Sequence, residues 1–270
     1  MHRFHIDITA TVGSRISIKG NEARHMINVL RLSKGDEVQL ADGRGNHYLA
    51  RIENVSKGEA DLAILGTATM EAESPVHITM AQGVLKDKKM DTILRHLTEL
   101  GIVEWHPFFA KRSVPSPVPE KDKARLERWE RIARESMKQC GRSLLPEIHP
   151  PCSFNELMTL SDRYDEKIIF SETSEYPIDI LKEKHCSNHG AVPWVKIIAM
   201  IGPEGGFTKE ETSVAVERGF SSFSLGPRIL RAETASIAAC ALIQNILGDL
   251  GKRVNSHLTV HGTPRCRAIP

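Results

Sequence analysis

Residues 201–211 (IGPEGGFTKEE) combine glycines with a carboxylate, a composition typical of a loop that binds a small molecule. An apolar run at 195–201 leads into them and is typical of a buried strand. Thr208 and Glu211 have the spacing of a capping box, which predicts the start of a helix. Residues 202–207, the glycine loop, therefore join a strand to a helix and permit a close approach of backbone to ligand. A turn without a ligand is the alternative.

The glycine loop does not have the sequence of a phosphate site. It lacks the Gly-Lys-Ser/Thr ending of a P-loop, and its glycines do not have the spacing of the dinucleotide fingerprint. Glu204 would also place a carboxylate where a phosphate would lie, and the two negative charges would repel each other. A ligand with a cationic centre or with ribose hydroxyls suits Glu204 better.

A second segment, residues 225–231 (LGPRILR, the arginine segment), places Arg228 and Arg231 on either side of an apolar pair. The apolar pair and the backbone amides suit a flat base ring. The arginines suit an RNA phosphate or a negative charge that develops during a reaction. Glu233 and Thr234 follow in the first turn of a predicted helix, where they either belong to the site or cap the helix. We expect the glycine loop and the arginine segment to form one site.

Basic residues are in excess in the middle of the chain. Residues 83–142 contain 14 Lys and Arg against 9 Asp and Glu, an excess of five. Ordinary i,i+4 ion pairs on a solvated helix account for those in the centre of this stretch. They do not account for the residues near predicted strand and helix ends, which suit RNA phosphates: Lys86, Lys88, Lys89, Lys111, Arg112, Lys138 and Arg142.

Several other chemistries find no support in the sequence. The five cysteines are scattered without a CxxC pair, and the 12 histidines form no HExxH motif, so no metal site is predicted. A polar loop is the favoured interpretation of His185, Cys186 and His189. No GxSxG elbow or Ser-His-Asp pattern indicates a covalent nucleophile. No secretory h-region and no apolar run of membrane-spanning length is found, so we expect a cytoplasmic protein with no membrane association.

The elements that must position these residues fall into two groups. Residues 1–70 predict a small β-rich domain, with one helix at 21–30 and a hairpin turn at 42–45 (DGRG). From residue 76 to 251, strands alternate with helices, which indicates an α/β domain with a mainly parallel sheet. Both candidate segments follow strands of this sheet and so lie at its carboxyl edge, where ligands bind. The tail, 252–270, has no usable pattern.

The combination of these motifs resembles the ribosomal RNA small subunit methyltransferase E family. The paired segments IGPEGGF (201–207) and LGPRILRAETA (225–235) carry most of the resemblance. HMINVLR (25–31) with Gly35-Asp36 is similar to the N-terminal PUA-like domain of that family, and TELGI (98–102) and residues 135–142 are similar to its middle blocks. One departure precedes TELGI, where Arg-His-Leu stands in place of the usual Gln-Lys-Ala.

The resemblance implies a fold and an activity. The fold would be of the SPOUT type, an α/β domain with a mainly parallel sheet and a C-terminal trefoil knot, preceded by the β-rich PUA-like barrel. The protein would be a homodimer that uses S-adenosyl-L-methionine to methylate N3 of a specific uridine in 16S rRNA of the small ribosomal subunit. Two alternatives stay open: ribose 2′-O methylation by another SPOUT enzyme, and a non-catalytic rRNA-binding assembly factor.

The resemblance also assigns residues. Arg231, Arg228 and Glu204 are the catalytic candidates. The methyl donor would lie against both segments and the helix that follows, with these contacts: Ile201, Gly202, Pro203, Glu204, Gly205, Gly206, Leu225, Gly226, Ile229, Leu230, Arg231, Glu233, Thr234 and Ala235. RNA contacts are expected at these residues: His25, Arg31, Lys86, Lys88, Lys89, Arg112 and Arg142. The general base is left between Glu204 and Glu233.

Overall fold

A computed structural model describes residues 1–69, 72–86, 88–186, 195–252 and 259–261. These residues form two compact units, each with its own sheet. The first contains Met1–Glu73, Met137–Leu145 and the strand Thr259–His261, and the second contains Ser74–Ser136 together with the described part of Pro146–Arg253. The sequence-based division had placed Met137–Leu145 with the α/β domain and had predicted no element in the tail.

The first unit is a curled, mostly antiparallel sheet of six strands. The strands are β1 (Arg3–His5), β2 (Arg15–Lys19), β3 (Glu37–Ala41), β4 (His47–Ser56), β5 (Glu59–Thr69) and β13 (Thr259–His261). The order is β1-β3-β4-β5, and β2 and β13 share the second edge of β5. Tyr48, Ala50 and Ile52 alternate inward along β4 and are at most 2 % exposed, which is the period-2 pattern of a half-buried strand.

The hairpin of this unit is predicted correctly from the sequence, whereas its helix is predicted only in part. The hairpin through residues 42–45 is confirmed, since Asp42 Oδ1 accepts hydrogen bonds from the backbone N–H groups of Arg44 (2.9 Å) and Asn46 (3.1 Å). The single helix predicted at 21–30 is wrong in detail. Helix α1 (Gly20–Arg24) passes into a π-helical turn, His25–Val29, where Leu30 N donates to His25 O over 3.0 Å.

The second unit has a parallel sheet of seven strands, as predicted. The strands are β6 (His77–Gly83), β7 (Glu104–Phe109), β8 (Glu147–Ile148), β9 (Cys152–Ser153), β10 (Glu166–Phe170), β11 (Lys196–Ile201) and β12 (Ser221–Phe223). The helices are α2 (Lys89–Glu99), α3 (Asp122–Cys140), α4 (Phe154–Leu160), α5 (Ile180–Cys186), α6 (Lys209–Glu217) and α7 (Ala232–Ile246). Helix α7 has Glu233 and Thr234 in its first turn, as predicted.

Strand order places the two candidate segments at one edge. The strand order is β12-β10-β11-β6-β7-β8. Strand β6 comes first in the sequence of this sheet, and β7 and β8 lie on one side of it. The later strands β10, β11 and β12 lie on the other side of β6. The order therefore reverses between β6 and β11, and such a reversal opens a crevice at the carboxyl ends of the strands. Helix α7 follows β12 and packs on α2, β6 and β11. The apolar stripe of α2 is buried, with Ile93, Leu94 and Leu97 fully inaccessible.

An ionic cluster lies at the start of β7. Glu104 Oε2 contacts the Arg163 guanidinium, accepts a hydrogen bond from Tyr164 Oη (3.0 Å) and lies 3.1 Å from His106 Nε2. Burial raises the pKa of Glu104, but these hydrogen bonds and the Arg163 charge outweigh it and bring the pKa to about 2. The ionised carboxylate is therefore more stable in the folded chain than in the unfolded one.

This cluster makes the second unit sensitive to acid. Because the folded pKa lies below the ordinary value, the stabilisation is fully present above about pH 4.5 and is lost as pH falls toward 2. Linkage and solvent screening together indicate about 2 kcal/mol at neutral pH. Glu104→Gln should therefore destabilise the unit by that amount at pH 7 and by about 1 kcal/mol less at pH 3. Urea unfolding followed by the fluorescence of the buried pair Trp105–Trp129 measures it, and an equal loss at both pH values would contradict the assignment.

Candidate active site

The glycine loop leaves β11 and enters α6 through a compact turn. Gly206 N donates to Pro203 O (2.9 Å), and Gly206 has a φ of 65°, which favours glycine. The predicted capping box at the start of α6 is confirmed. Thr208 N donates to Glu211 Oε2 (2.9 Å), and Glu211 N donates to Thr208 Oγ1 (3.2 Å). The loop thus ends on a fixed helix start.

The end of β6 supports the loop from beneath. A Cβ atom on Gly83 would lie 2.5 Å from Pro203 N, so only glycine permits this approach. The adjacent Gln82 is fully buried, and its Nε2 donates to Gly202 O (3.4 Å) while its Oε1 accepts from Ser236 Oγ on α7. One amide side chain therefore connects β6, the glycine loop and α7. Sequence reasoning missed both Gln82 and Gly83.

The loop after β7 supports it from the side. Arg112 Nη1 donates to Gly205 O (3.0 Å) and Phe207 O (3.2 Å). A Cβ atom on Gly205 would lie 2.9 Å from Arg112 Cβ, which explains a second glycine. Lys111 N donates to Glu211 Oε1 (2.8 Å). Arg112 is predicted from the sequence to contact RNA. In the structure its guanidinium donates hydrogen bonds to the carbonyl groups of Gly205 and Phe207 in the glycine loop.

The arginine segment is the exposed side of the site. Arg228 and Arg231 are exposed, and Ile229 has 83 % of its surface accessible, which is unusual for a large apolar residue. Gly226 has a φ of 109° and donates its N–H to Ser224 Oγ (3.1 Å). Arg231 is the N-cap of α7 without a side-chain cap bond. The N–H groups of the first turn of α7 are therefore left for another partner.

Lys89 brings the two candidate carboxylates together. Its Nζ lies 3.0 Å from Glu204 Oε1 on the glycine loop and 3.8 Å from Glu233 Oε2 on α7. The hydrogen bond to Glu204 raises the pKa of Lys89. Burial raises the pKa of Glu204, but the Lys89 hydrogen bond, backbone N–H groups and the Lys89 charge outweigh burial and lower it. Lys89 is predicted from the sequence to contact RNA, whereas in the structure its ammonium group is paired with Glu204 and Glu233.

The remaining predicted RNA contacts divide by exposure. Lys86 and Lys88 are exposed in the second unit, and His25 and Arg31 are exposed in the first. Arg31 has a φ of 54° and is the one described non-glycine residue with a positive φ. Arg142 is only 3 % exposed and donates to Glu73 Oε2 through Nε (3.0 Å) and Nη2 (2.8 Å). The guanidinium of Arg142 is therefore buried in an ion pair, and the predicted contact with an RNA phosphate would require this pair to open.

One group among the described residues has the composition of a metal site. The ligand atoms of Glu104, His106 and His149 lie within 4.8 Å of one another. The two imidazole rings are stacked, with centroids 3.8 Å apart and an angle of 12° between planes, so one ion cannot lie in both ring planes. The Arg163 guanidinium also lies 3.2 Å from His106 Nε2. The group is therefore an ionic cluster. The side chains of His185, Cys186 and His189 lie outside the described residues.

Comparisons with known proteins agree with this architecture. Residues 72–244 match the model of an RNA methyltransferase domain, and residues 18–65 match that of an RNA methyltransferase PUA domain. The chain is 30 % identical to ribosomal RNA small subunit methyltransferase E of Bacillus subtilis, covering 90 % of this chain and 96 % of that protein. It is 31 % identical to the protein of the same name from Synechocystis, covering 87 % and 75 %.

Solved structures give the same result. The crystal structure of ribosomal RNA small subunit methyltransferase E from Neisseria gonorrhoeae, bound to S-adenosyl methionine, has a TM-score of 0.81, 32 % identity and coverage of 92 % and 99 %. A methyltransferase from Legionella pneumophila, in complex with the same cofactor, has a TM-score of 0.82, 28 % identity and coverage of 92 % and 98 %. Fold and site define the class of RNA methyltransferases with a PUA domain. Within that class, the chain belongs to the ribosomal RNA small subunit methyltransferase E family.

No helix in the described ranges combines the length and the apolar character that crossing a membrane requires.

Proposed function

We propose that this protein transfers a methyl group from S-adenosyl-L-methionine to N3 of a specific uridine in 16S rRNA of the small ribosomal subunit. One observation carries the proposal. The glycine loop and α7 meet at the carboxyl edge of the sheet, where Glu204 and Glu233 both form an ion pair with the ammonium group of Lys89. Membership of the family supports the reaction class, and the donor-bound relatives support the cofactor. Because the proposed substrate is the small ribosomal subunit, the protein would act in the cytoplasm.

The residues present fit such a donor. Gly83 and Gly205 stand where a Cβ atom would displace the glycine loop, so the backbone of residues 202–206 is held in one position against β6 and Arg112. Glu233 Oε2 is buried without a hydrogen-bond partner among the described residues, and a carboxylate suits a ligand with cationic groups. The backbone of the glycine loop and of residues 225–230 would hold the adenine and ribose. When bound, the donor supplies an electrophilic methyl group on a sulfonium.

The protein's own task is to prepare the uracil. The target base must leave its stacked or paired context to expose N3. The neutral imide nitrogen is a poor nucleophile, so its proton must leave. Arg231 and Arg228 stabilise the negative charge that then develops on the uracil oxygens. Of the two candidate bases, Glu233 is the better acceptor. Its Oε2 has no hydrogen-bond partner among the described residues and lies 3.8 Å from Lys89 Nζ, whereas Glu204 Oε1 accepts a hydrogen bond from Lys89 at 3.0 Å.

RNA binding falls to exposed cations. Lys86 and Lys88 lie beside the start of α2, and His25 and Arg31 lie on the PUA-like unit. Each lysine that contacts a phosphate contributes about one to the slope of log affinity against log salt. Lys86→Met and Lys88→Met should each reduce that slope by about one without changing which uridine is methylated. Filter binding to small subunits over a salt series measures it, and an unchanged slope in both variants would contradict the contact.

A homodimer is also part of the proposal. The exposed Ile229 and the small side chains on the exposed side of α7 suit a close contact with a second copy of the chain.

The deciding experiment is methyl transfer from labelled S-adenosylmethionine to small subunits that lack 3-methyluridine, followed by digestion and identification of the nucleosides. Label in 3-methyluridine supports donor, substrate and reaction together. Label in a 2′-O-methylated nucleoside would establish the ribose reaction instead. Absence of both label and donor binding by calorimetry would leave the rRNA-binding assembly factor as the better interpretation.

A further inference from the structure

Three elements of the second unit meet at the ammonium group of Lys89. Lys89 is the first residue of α2, Glu204 belongs to the glycine loop, and Glu233 lies in the first turn of α7. The two carboxylates stand on segments that follow different strands, and no hydrogen bond between these carboxylates is found in the described ranges. Lys89 is therefore the group that connects them.

Lys89 supplies positive charge that balances the carboxylates of both Glu204 and Glu233. Glu204 Oε1 also accepts from the backbone N–H of Lys86 (3.4 Å), whereas Glu233 Oε2 has no hydrogen-bond partner among the described residues. Arg231 is the other charged group that acts on Lys89, and it opposes the ammonium charge. Without Lys89, two carboxylates would share one partly buried region with less positive charge to balance them. Such pairs hold on to a proton.

We infer that Lys89 is a positioning residue, which holds Glu204 and Glu233 on one ammonium group and so fixes Glu233 where it can accept the uracil N3 proton. The inference rests on the proposed function and adds to it a residue that the sequence had placed among the RNA contacts.

The test compares Lys89→Met with Lys88→Met and Lys89→Arg. Lys88 is the exposed N-cap residue of α2 and has no ion pair in the described part of the chain, so Lys88→Met removes the same charge from the same helix end. Lys89→Met should shift the acid limb of the kcat/KM pH profile upward by about one pH unit and lower kcat about tenfold at neutral pH. Lys89→Arg should restore the limb. Lys88→Met should raise KM for RNA and leave the limb in place.

A second readout separates this inference from the proposed function. Glutamate carboxyl carbons labelled with ¹³C can be titrated by NMR, and Glu204→Gln identifies the Glu204 signal. In Lys89→Met the pKa of Glu204 should rise, whether or not methyl transfer to uridine occurs. A Glu204 titration unchanged in Lys89→Met, or an acid limb that moves equally in Lys88→Met, would overturn the inference. Failure of wild-type methyl transfer with a shifted Glu204 titration would instead overturn the proposed reaction alone.

Discussion

Gly83→Ala is expected to lower the affinity for S-adenosylmethionine about 100-fold, or about 3 kcal/mol of binding free energy, because the backbone proposed to hold the donor must move. The added Cβ atom would stand 2.5 Å from Pro203 N and 2.8 Å from Gly202 C, both of them backbone atoms that no rotamer change can move. The glycine loop must therefore shift away from β6. Gln82 Nε2 would then lose its hydrogen bond to Gly202 O. Calorimetric titration with the donor measures the loss.

The control for Gly83→Ala is Gly219→Ala. Gly219 has a φ of 88°, so alanine is strained there, but nothing lies within 4 Å of its Cβ position. This variant should lose stability and keep donor affinity. Overpacking at Gly83 should itself cost about 1–3 kcal/mol of unfolding free energy, so both variants are compared where each remains folded. Wild-type affinity in folded Gly83→Ala would show that the loop position does not determine donor binding.

Arg231→Ala is expected to lower kcat about 100-fold at saturating RNA and donor, which is the usual effect of removing one preorganised charge stabiliser. Arg231 is exposed at the N-cap of α7, where no side-chain cap bond is made, and its guanidinium has no ion pair within the described ranges. It is therefore available to an anion. Single-turnover methyl transfer at saturating labelled donor and RNA separates this loss from a loss of binding.

The matched control for Arg231→Ala is Arg218→Ala. Arg218 is an exposed arginine at the end of α6, 3.9 Å from Asp162, and plays no part in the proposed site. Its loss removes the same net charge and should leave kcat within about twofold, as is usual for exposed ion pairs. Full activity in Arg231→Ala would assign the stabilising role to another group, with Arg228 the next variant to measure.

Local features of the fold were predictable because the interactions that create them span few residues. Thr208 and Glu211 are three positions apart, and the capping box follows from that spacing alone. The alternation of Tyr48, Ala50 and Ile52 follows from the period of a strand. The parallel sheet and the carboxyl-edge location of the site follow from the alternation of strands and helices.

The supports of the site were decided only by the tertiary structure. Lys89 and Glu204 are 115 residues apart, and Gln82 and Gly202 are 120 apart. They meet because β11 returns to pair with β6, and no local pattern states which strands become neighbours. The burial of Arg142 against Glu73 has the same origin, since an arginine at a helix end looks alike in sequence whether a carboxylate covers it or not. The sequence thus determined which residues could do chemistry, and strand order determined which of them face one another.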